Sequence, residues 1–181
     1  MPQFLHPGEQ QIVERAQQGD ADAFADLYVW YAPAIFRYLL VRVGDSSVAE
    51  DLTSDVFLKA QEALRRYNRQ GVPFAAWLFR IAHDRMVDHY RTQARHPSDQ
   101  LTEQMPDDSL EPEVRAAAQA EASRLARAVA CLTDEQKTVV QLHLMDGYSL
   151  EDTAQIMQKS IGAIKALQHR ALANLAKQLQ S

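Results

Sequence analysis

The chain has 181 residues, 46% of them hydrophobic and 24% charged, with a net charge of −5 and a single cysteine. That is enough for one ordinary domain or two small ones, and it excludes an internal disulfide and any CxxC-type zinc site. No apolar run approaches the ~18–20 residues that span a bilayer, and Met1 to Pro7 shows no signal peptide, so a reducing cytoplasm is the expected setting and membrane insertion is not expected.

Helical signals recur from the start. Ile12, Val13 and Ala16 make a short apolar face closed by Gly19. Asp20 or Asp22 can cap the next helix, where Phe24, Leu27, Tyr28 and Tyr31 recur at helical spacing. Pro33 should kink or restart that helix, with Ile35, Tyr38, Leu39 and Val43 continuing its stripe to Gly44. Asp45-Ser46-Ser47 opens a third helix with Leu52, Val56, Ala60 and Leu64 four apart. After a loop over 67–72, Pro73 suits the first turn of a helix carrying Trp77, Leu78, Ile81 and Ala82. Residues 1–95 sum to −1, yet Arg65 to Arg95 holds seven arginines against Asp84 and Asp88. A local patch of +5 suits phosphate whatever the global charge, although a solvated helix face would read the same way.

Residues 96–115 carry one basic and six acidic side chains with three prolines, and so nearly the whole negative balance. Such a segment buries too little to offset its ordering entropy, and a flexible acidic linker is expected there. Residues 116–181 sum to +1. A helix from about Glu113 should reach Leu132, and Cys131 at its end reads as a small buried apolar residue. Thr133-Asp134-Glu135-Gln136 is a capping box, and the helix it starts should end at Asp146-Gly147. Ser149 and Asp152 cap a short helix ending near Met157. Gln158-Lys159-Ser160 is a tight connection into a final helix from Ile161 to about Leu179. Two helices joined by about three residues form a helix-turn-helix. No segment sustains a period of two. The fold class expected is all-α, two small helical domains (1–95 and 116–181) joined by the acidic linker, the second containing the helix-turn-helix.

The blocks Ala16-Gln-Gln-Gly-Asp-Ala-Asp-Ala-Phe24-Ala-Asp-Leu-Tyr28, Ala49-Glu-Asp51-Leu-Thr-Ser-Asp55-Val-Phe57-Leu-Lys-Ala and Phe74-Ala-Ala-Trp77-Leu-Phe-Arg80-Ile-Ala82 stand in order before Gly147-Tyr-Ser-Leu-Glu-Asp-Thr-Ala and the run from Ser160 to Leu172. Together they resemble the extracytoplasmic-function sigma factors over roughly residues 9–95 and 113–178. The resemblance implies a non-enzymatic subunit without cofactor or metal, whose partners are core RNA polymerase, promoter DNA and an anti-sigma factor. It implies that the domain over 1–95 docks on polymerase and melts the minus-ten element, while the domain over 116–181 reads the minus-thirty-five element.

The same resemblance assigns residues. Asp51, Asp55, Phe57 and Lys59 match a helix that docks on a coiled coil of the largest polymerase subunit. Here Asp51, Asp55 and Lys59 fall on one face, beside Leu52, Val56 and Ala60. Arg65, Arg66, Tyr67, Trp77, Arg80, Asp84 and Arg91 match the block that meets the minus-ten strand. Strand opening needs an aromatic platform worth about 1–3 kcal/mol per stacked base, with arginines along the backbone. Tyr67, Phe74, Trp77 and Phe79 interleave with Arg65, Arg66, Arg69 and Arg80 in that sense, and Trp77 can equally pack beneath the surface. Asp84 stands where many members have Asn. An ionised carboxylate only accepts hydrogen bonds, so it suits a base amine such as that of cytosine. In the last helix the DNA-facing positions are Ser160, Gly162, Ala163, Lys165, Ala166, His169 and Arg170. Leu167 replaces an often basic residue, which implies fewer phosphate contacts.

Two rivals predict different behaviour. A sensor domain on a helix-turn-helix would bind specific DNA as an isolated chain. A metal-dependent helical enzyme would rest on His83-Asp84 with Asp88-His89, but His83 and His89 point about 120° apart on a helix, and no third ligand stands beside Asp84 and Asp88.

Overall fold

The structure is a computed structural model that describes residues 6, 8–68, 72–95, 124 and 127–180. The linker expected over 96–115, most of the helix expected from Glu113, and Arg69 lie outside the described residues. Among the described residues every regular element is a helix. The N-terminal lobe holds α1 (Glu9–Gln17), α2 (Ala21–Val43), α3 (Ser46–Ala63), a 3₁₀ turn (Leu64–Arg66) and α4 (Phe74–Arg95). The C-terminal lobe holds α5 (Asp134–Val139), a π-helical turn (Val140–Met145), α6 (Leu150–Met157) and α7 (Ile161–Leu179).

The caps lie where the side chains put them. Asp20 accepts from the amides of Asp22 and Ala23, and Asp45 from that of Val48. The Thr133 and Gln136 side chains satisfy each other's backbone amides in a complete capping box. Ser149 and Ser160 accept from Asp152 and Ala163. Each removes an orphan amide at a helix start, a contribution of about 1 kcal/mol. Gly44 closes α2 at φ 75°, where a Cβ would be strained.

Two expectations are corrected here, a restart at Pro33 and a buried Cys131. Pro33 does not interrupt α2, which runs unbroken through it. Pro33 and Val29, whose carbonyl loses its amide partner, both lie on the exposed side, so water can replace that bond. Cys131 is free and exposed. The helical turn at 127–130 ends just before it, and Leu132 takes the buried position instead. The helix begun at Thr133 widens to π geometry from Val140, with Asp146 N–H donating to the Gln141 carbonyl five residues back. The widened turn buries Gln141 and Leu142 and leaves Leu144 and Met145 exposed.

Ala23, Leu27, Tyr31, Ile35 and Leu39 of α2 pack against Leu52, Val56 and Ala60 of α3 and against Leu78 and Ala82 of α4. This core does not stop at the lobe. Leu142, Tyr148 and Ile156 of the C-terminal lobe belong to it, and the Tyr148 ring meets Phe79 edge-on at 6.0 Å. A smaller cluster of Val139, Ala154, Ile164 and Leu167 holds the helix-turn-helix together.

Candidate nucleic-acid and polymerase-binding surfaces

On α3 the helical period sends Leu52, Val56 and Ala60 inward and leaves Asp51, Asp55 and Lys59 exposed, with Lys59 paired to Glu62 at 2.7 Å. Phe57 is corrected. It is only 4% exposed, with its ring edge-on to Phe24 at 6.4 Å and to Tyr28 at 4.7 Å, so it props the face from beneath. What joins the acidic face in its place is apolar. Leu58, one turn from Asp55, is 58% exposed, and Tyr28, whose ring meets Phe57, is also partly open. The sequence carried a signal for Leu58, since it is a large apolar residue off the buried stripe of its helix.

The aromatic residues at the start of α4 form a packed knot. Tyr67 is buried and donates its hydroxyl to the Val72 carbonyl at 2.6 Å. Its ring lies 5.7 Å from Phe74 and 4.8 Å from Trp77, while Phe74 and Phe79 are buried. The platform read from Tyr67, Phe74 and Phe79 is therefore corrected, because each ring is spent on the core. Trp77 alone keeps a partly open ring, supported from behind by Tyr67 and Phe74 at 4.8 and 5.5 Å. Arg65, Arg66 and Arg91 are exposed, and Arg91 lies 3.8 Å from Asp88, which also takes Arg85 at 2.7 Å.

Arg80 and Asp84 stand one turn apart on the side of α4 that faces the C-terminal lobe. They line an interlobe cleft of about 450 Å³ with Tyr38, His83, Asp134, Glu135 and Lys159 among its walls. With the Gln158 amide assigned by its hydrogen bonds, its oxygen accepts from Arg80 Nε and a terminal nitrogen at 2.7 and 3.0 Å. Beside the cleft, Arg37 donates to Asp146 at 2.6 and 2.8 Å. Arg42, held over the Tyr38 ring at 3.7 Å, donates to Thr138 Oγ1 at 2.5 Å. Burial pushes the Asp146 carboxyl up, with the Arg37 bonds countering in part, and burial pulls the Arg42 guanidinium down. No sequence signal marked Arg37, Arg42, Asp146 or Gln158.

On α7 the expected division holds. Ile164, Leu167 and Ala171 are buried, while Ser160, Gly162, Lys165, Ala166, His169 and Arg170 are exposed and Ala163 is half-buried. Leu167 belongs to the small core, so this position offers no side chain to a phosphate. Lys165, His169 and Arg170 make no hydrogen bond or ion pair among the described residues, and they present cationic and donor groups beside the small Gly162, Ala163 and Ala166. A helix with that face can enter a groove. Among the described residues no group of three His, Cys, Asp or Glu side chains could hold a metal ion.

The Sigma-70 region 2 family matches residues 27–96 and the Sigma-70, region 4 family residues 128–177. The chain is 38% identical over 177 residues to the ECF RNA polymerase sigma factor BldN of Streptomyces coelicolor, covering 93% of this chain and 65% of that protein, so it spans just under two thirds of BldN's length. It is 37% identical over 175 residues to the ECF RNA polymerase sigma factor ShbA of Streptomyces griseus, covering 91% of each. The solved structure of CnrH in complex with the cytosolic domain of CnrY aligns with a TM-score of 0.72 and 25% identity, over 96% of this chain and 97% of that one. With both sigma-70 regions in order and matches of this length, the chain belongs to the extracytoplasmic-function RNA polymerase sigma factors.

Proposed function

We propose that the chain acts without enzymatic activity of its own, in the cytoplasm, by binding core RNA polymerase and directing it to promoters for transcription initiation. The α3 face of Asp51, Asp55 and Lys59, widened by Leu58 and Tyr28, docks on the polymerase. Apolar area gives that contact its affinity and the carboxylates its register. Arg65, Arg66, Arg80 and Arg91 hold the minus-ten strand, Trp77 offers a stacking surface, and Asp84 accepts from a base amine. The exposed face of α7 reads the minus-thirty-five element, with Ser160 opening the helix toward a phosphate. Residues 1–95, 96–115 and 116–181 are then the docking and melting domain, its linker and the upstream reader. An anti-sigma factor controls the chain, as membership of this family implies.

The observation that carries this reading is the two-sided α7, buried along Ile164, Leu167 and Ala171 and open along Lys165, His169 and Arg170. Run-off transcription with purified core polymerase over a random promoter library tests it. Enrichment of two separated sequence elements is expected. Specific DNA binding by the chain alone, without promoter selection when polymerase is added, would overturn it.

A further inference from the structure

The short helix α1 carries none of the residues assigned to polymerase or DNA, yet it reaches into the melting surface. Gln17, its last residue, is half-buried and sends its side-chain amide across the lobe. The amide donates to the Leu64 carbonyl at 3.0 Å and to the Tyr67 carbonyl at 2.8 Å. A glutamine amide has only two hydrogens, and both go to backbone 47 and 50 residues further along the chain. These carbonyls bracket the 3₁₀ turn that bears Arg65 and Arg66, where α3 ends and its last carbonyls lack helical partners. Tyr67 leaves that turn in extended backbone, donates its hydroxyl to the Val72 carbonyl and sets its ring 4.8 Å from Trp77. One amide thus ties the two arginines and the support of the stacking ring to a common post. The post is itself fastened along its length. Val13 and Ala16 are buried, Glu9 accepts from the Tyr31 hydroxyl, and Arg15 pairs with Asp20 at 2.6 Å across the corner into α2.

We infer that Gln17 is a positioning residue for strand opening: its amide clamps the turn from Leu64 to Tyr67, so that Arg65, Arg66 and Trp77 meet the minus-ten strand in one arrangement. The inference rests on the minus-ten reading proposed above. Opening a duplex must offset lost pairing and stacking, so contacts already held in place matter most there. A strand that is already unpaired asks less of the same surface. Loss of the clamp therefore weakens opening of a duplex promoter more than use of one opened beforehand.

The test uses the full chain with core polymerase, on a promoter selected in the run-off library and carrying 2-aminopurine in its minus-ten element. Fluorescence of the unstacked base reads opening. Transcription from the same promoter with a mismatched minus-ten segment reads the pre-opened state. Gln17→Met keeps a chain of similar length and removes both donors, whereas Gln17→Lys supplies donors again. Gln17→Met is expected to lower opening of the duplex about tenfold, the scale of one or two net hydrogen bonds, with core affinity and transcription from the mismatched promoter parental. Gln17→Lys is expected to restore most of the opening. Parental opening in Gln17→Met overturns the clamp, as does an equal loss on both promoters or a Gln17→Lys variant no better than Gln17→Met. Should Gln17→Met lose core binding, Gln17→Glu, of the same shape with only acceptors when ionised, is read in its place, and parental opening there overturns the clamp. Arg65→Ala combined with Arg66→Ala tests the surface itself. Loss of opening in that double variant, beside parental opening in Gln17→Met, sinks the clamp and leaves the minus-ten reading standing. Parental opening in the double variant sinks that reading and the clamp with it.

Discussion

The two helices proposed to meet DNA hold their cations in opposite circumstances. On α7, Lys165 and Arg170 stand exposed beside His169, with no hydrogen bond or ion pair among the described residues. On α4, Arg80 is bonded to Gln158 and shares a walled cleft with Asp84. The upstream reader is presented by packing inside its own lobe, through Ile164 and Leu167, whereas Arg80 is held by a side chain of the other lobe. A helix-turn-helix needs only its small core to be ready.

The sharpest way to break this contrast is through the shared core. Tyr148→Ala removes a buried ring from the cluster common to both lobes, and a loss of about 3–5 kcal/mol is expected for a large aromatic truncation. Both tryptophans, Trp30 and Trp77, lie in the N-terminal lobe, so denaturant titration followed by tryptophan fluorescence reports that lobe. Tyr148→Ala should shift the fluorescence transition to lower denaturant. Ile164→Ala should instead cost the C-terminal lobe about 2–5 kcal/mol. That loss should appear in circular dichroism, with the tryptophan transition left in place. Equal shifts for both variants would mean that the lobes form one cooperative unit and that the contrast is false.

Lys165→Ala and Arg170→Ala probe the open face. The two residues are about 140° apart on the helix, which suits one touching a base edge and the other the backbone. A lost base contact should cost about 1–3 kcal/mol and relax preference at one promoter position. A lost phosphate contact should weaken all sequences alike and flatten the salt slope by about one unit. Transcription from promoters varied in the upstream element, at two salt concentrations, distinguishes them. Parental behaviour in both variants would remove α7 from the DNA. Asp55→Arg, on the exposed face of α3, should weaken core-polymerase binding while moving stability by less than about 0.5 kcal/mol. Unchanged affinity in a core-binding titration would take Asp55 out of the interface.

The smallest expected effect concerns pH. Burial raises the folded-state pKa of Asp146 above its ordinary value near 3.8. The folded chain therefore binds that proton more readily than the unfolded chain, and stability attributable to this group rises as pH falls from the raised value toward the ordinary one. Asp146→Asn should lack the rise. Denaturant midpoints of the two proteins, compared from neutral pH into that window, should diverge in favour of the parent. Parallel midpoints would mean that Arg37 holds the carboxylate fully.

Much of this was local and therefore legible in the chain. Asp20, Asp45, Thr133, Ser149 and Ser160 cap helices through bonds spanning two or three residues, and the stripes of α3 and α7 follow from the turn of a single helix. The family was legible for a similar reason, because its blocks are short segments in fixed order. What tertiary structure decided concerns side chains whose neighbours are remote in sequence. Phe57 sits at the border of the buried stripe of α3 and Tyr67 in extended backbone after the 3₁₀ turn, and packing against Phe24, Phe74 and Trp77 drew them inward. Cys131 went outward because the helix before it ended and Leu132 filled the core. The bond from Arg37 to Asp146 spans 109 residues and that from Arg42 to Thr138 spans 96. No periodicity or spacing encodes such pairs, since only the folded chain brings those helices together. The sequence by itself thus determined the helices and their exposed cations, and the packing of two lobes decided which of those cations stand free.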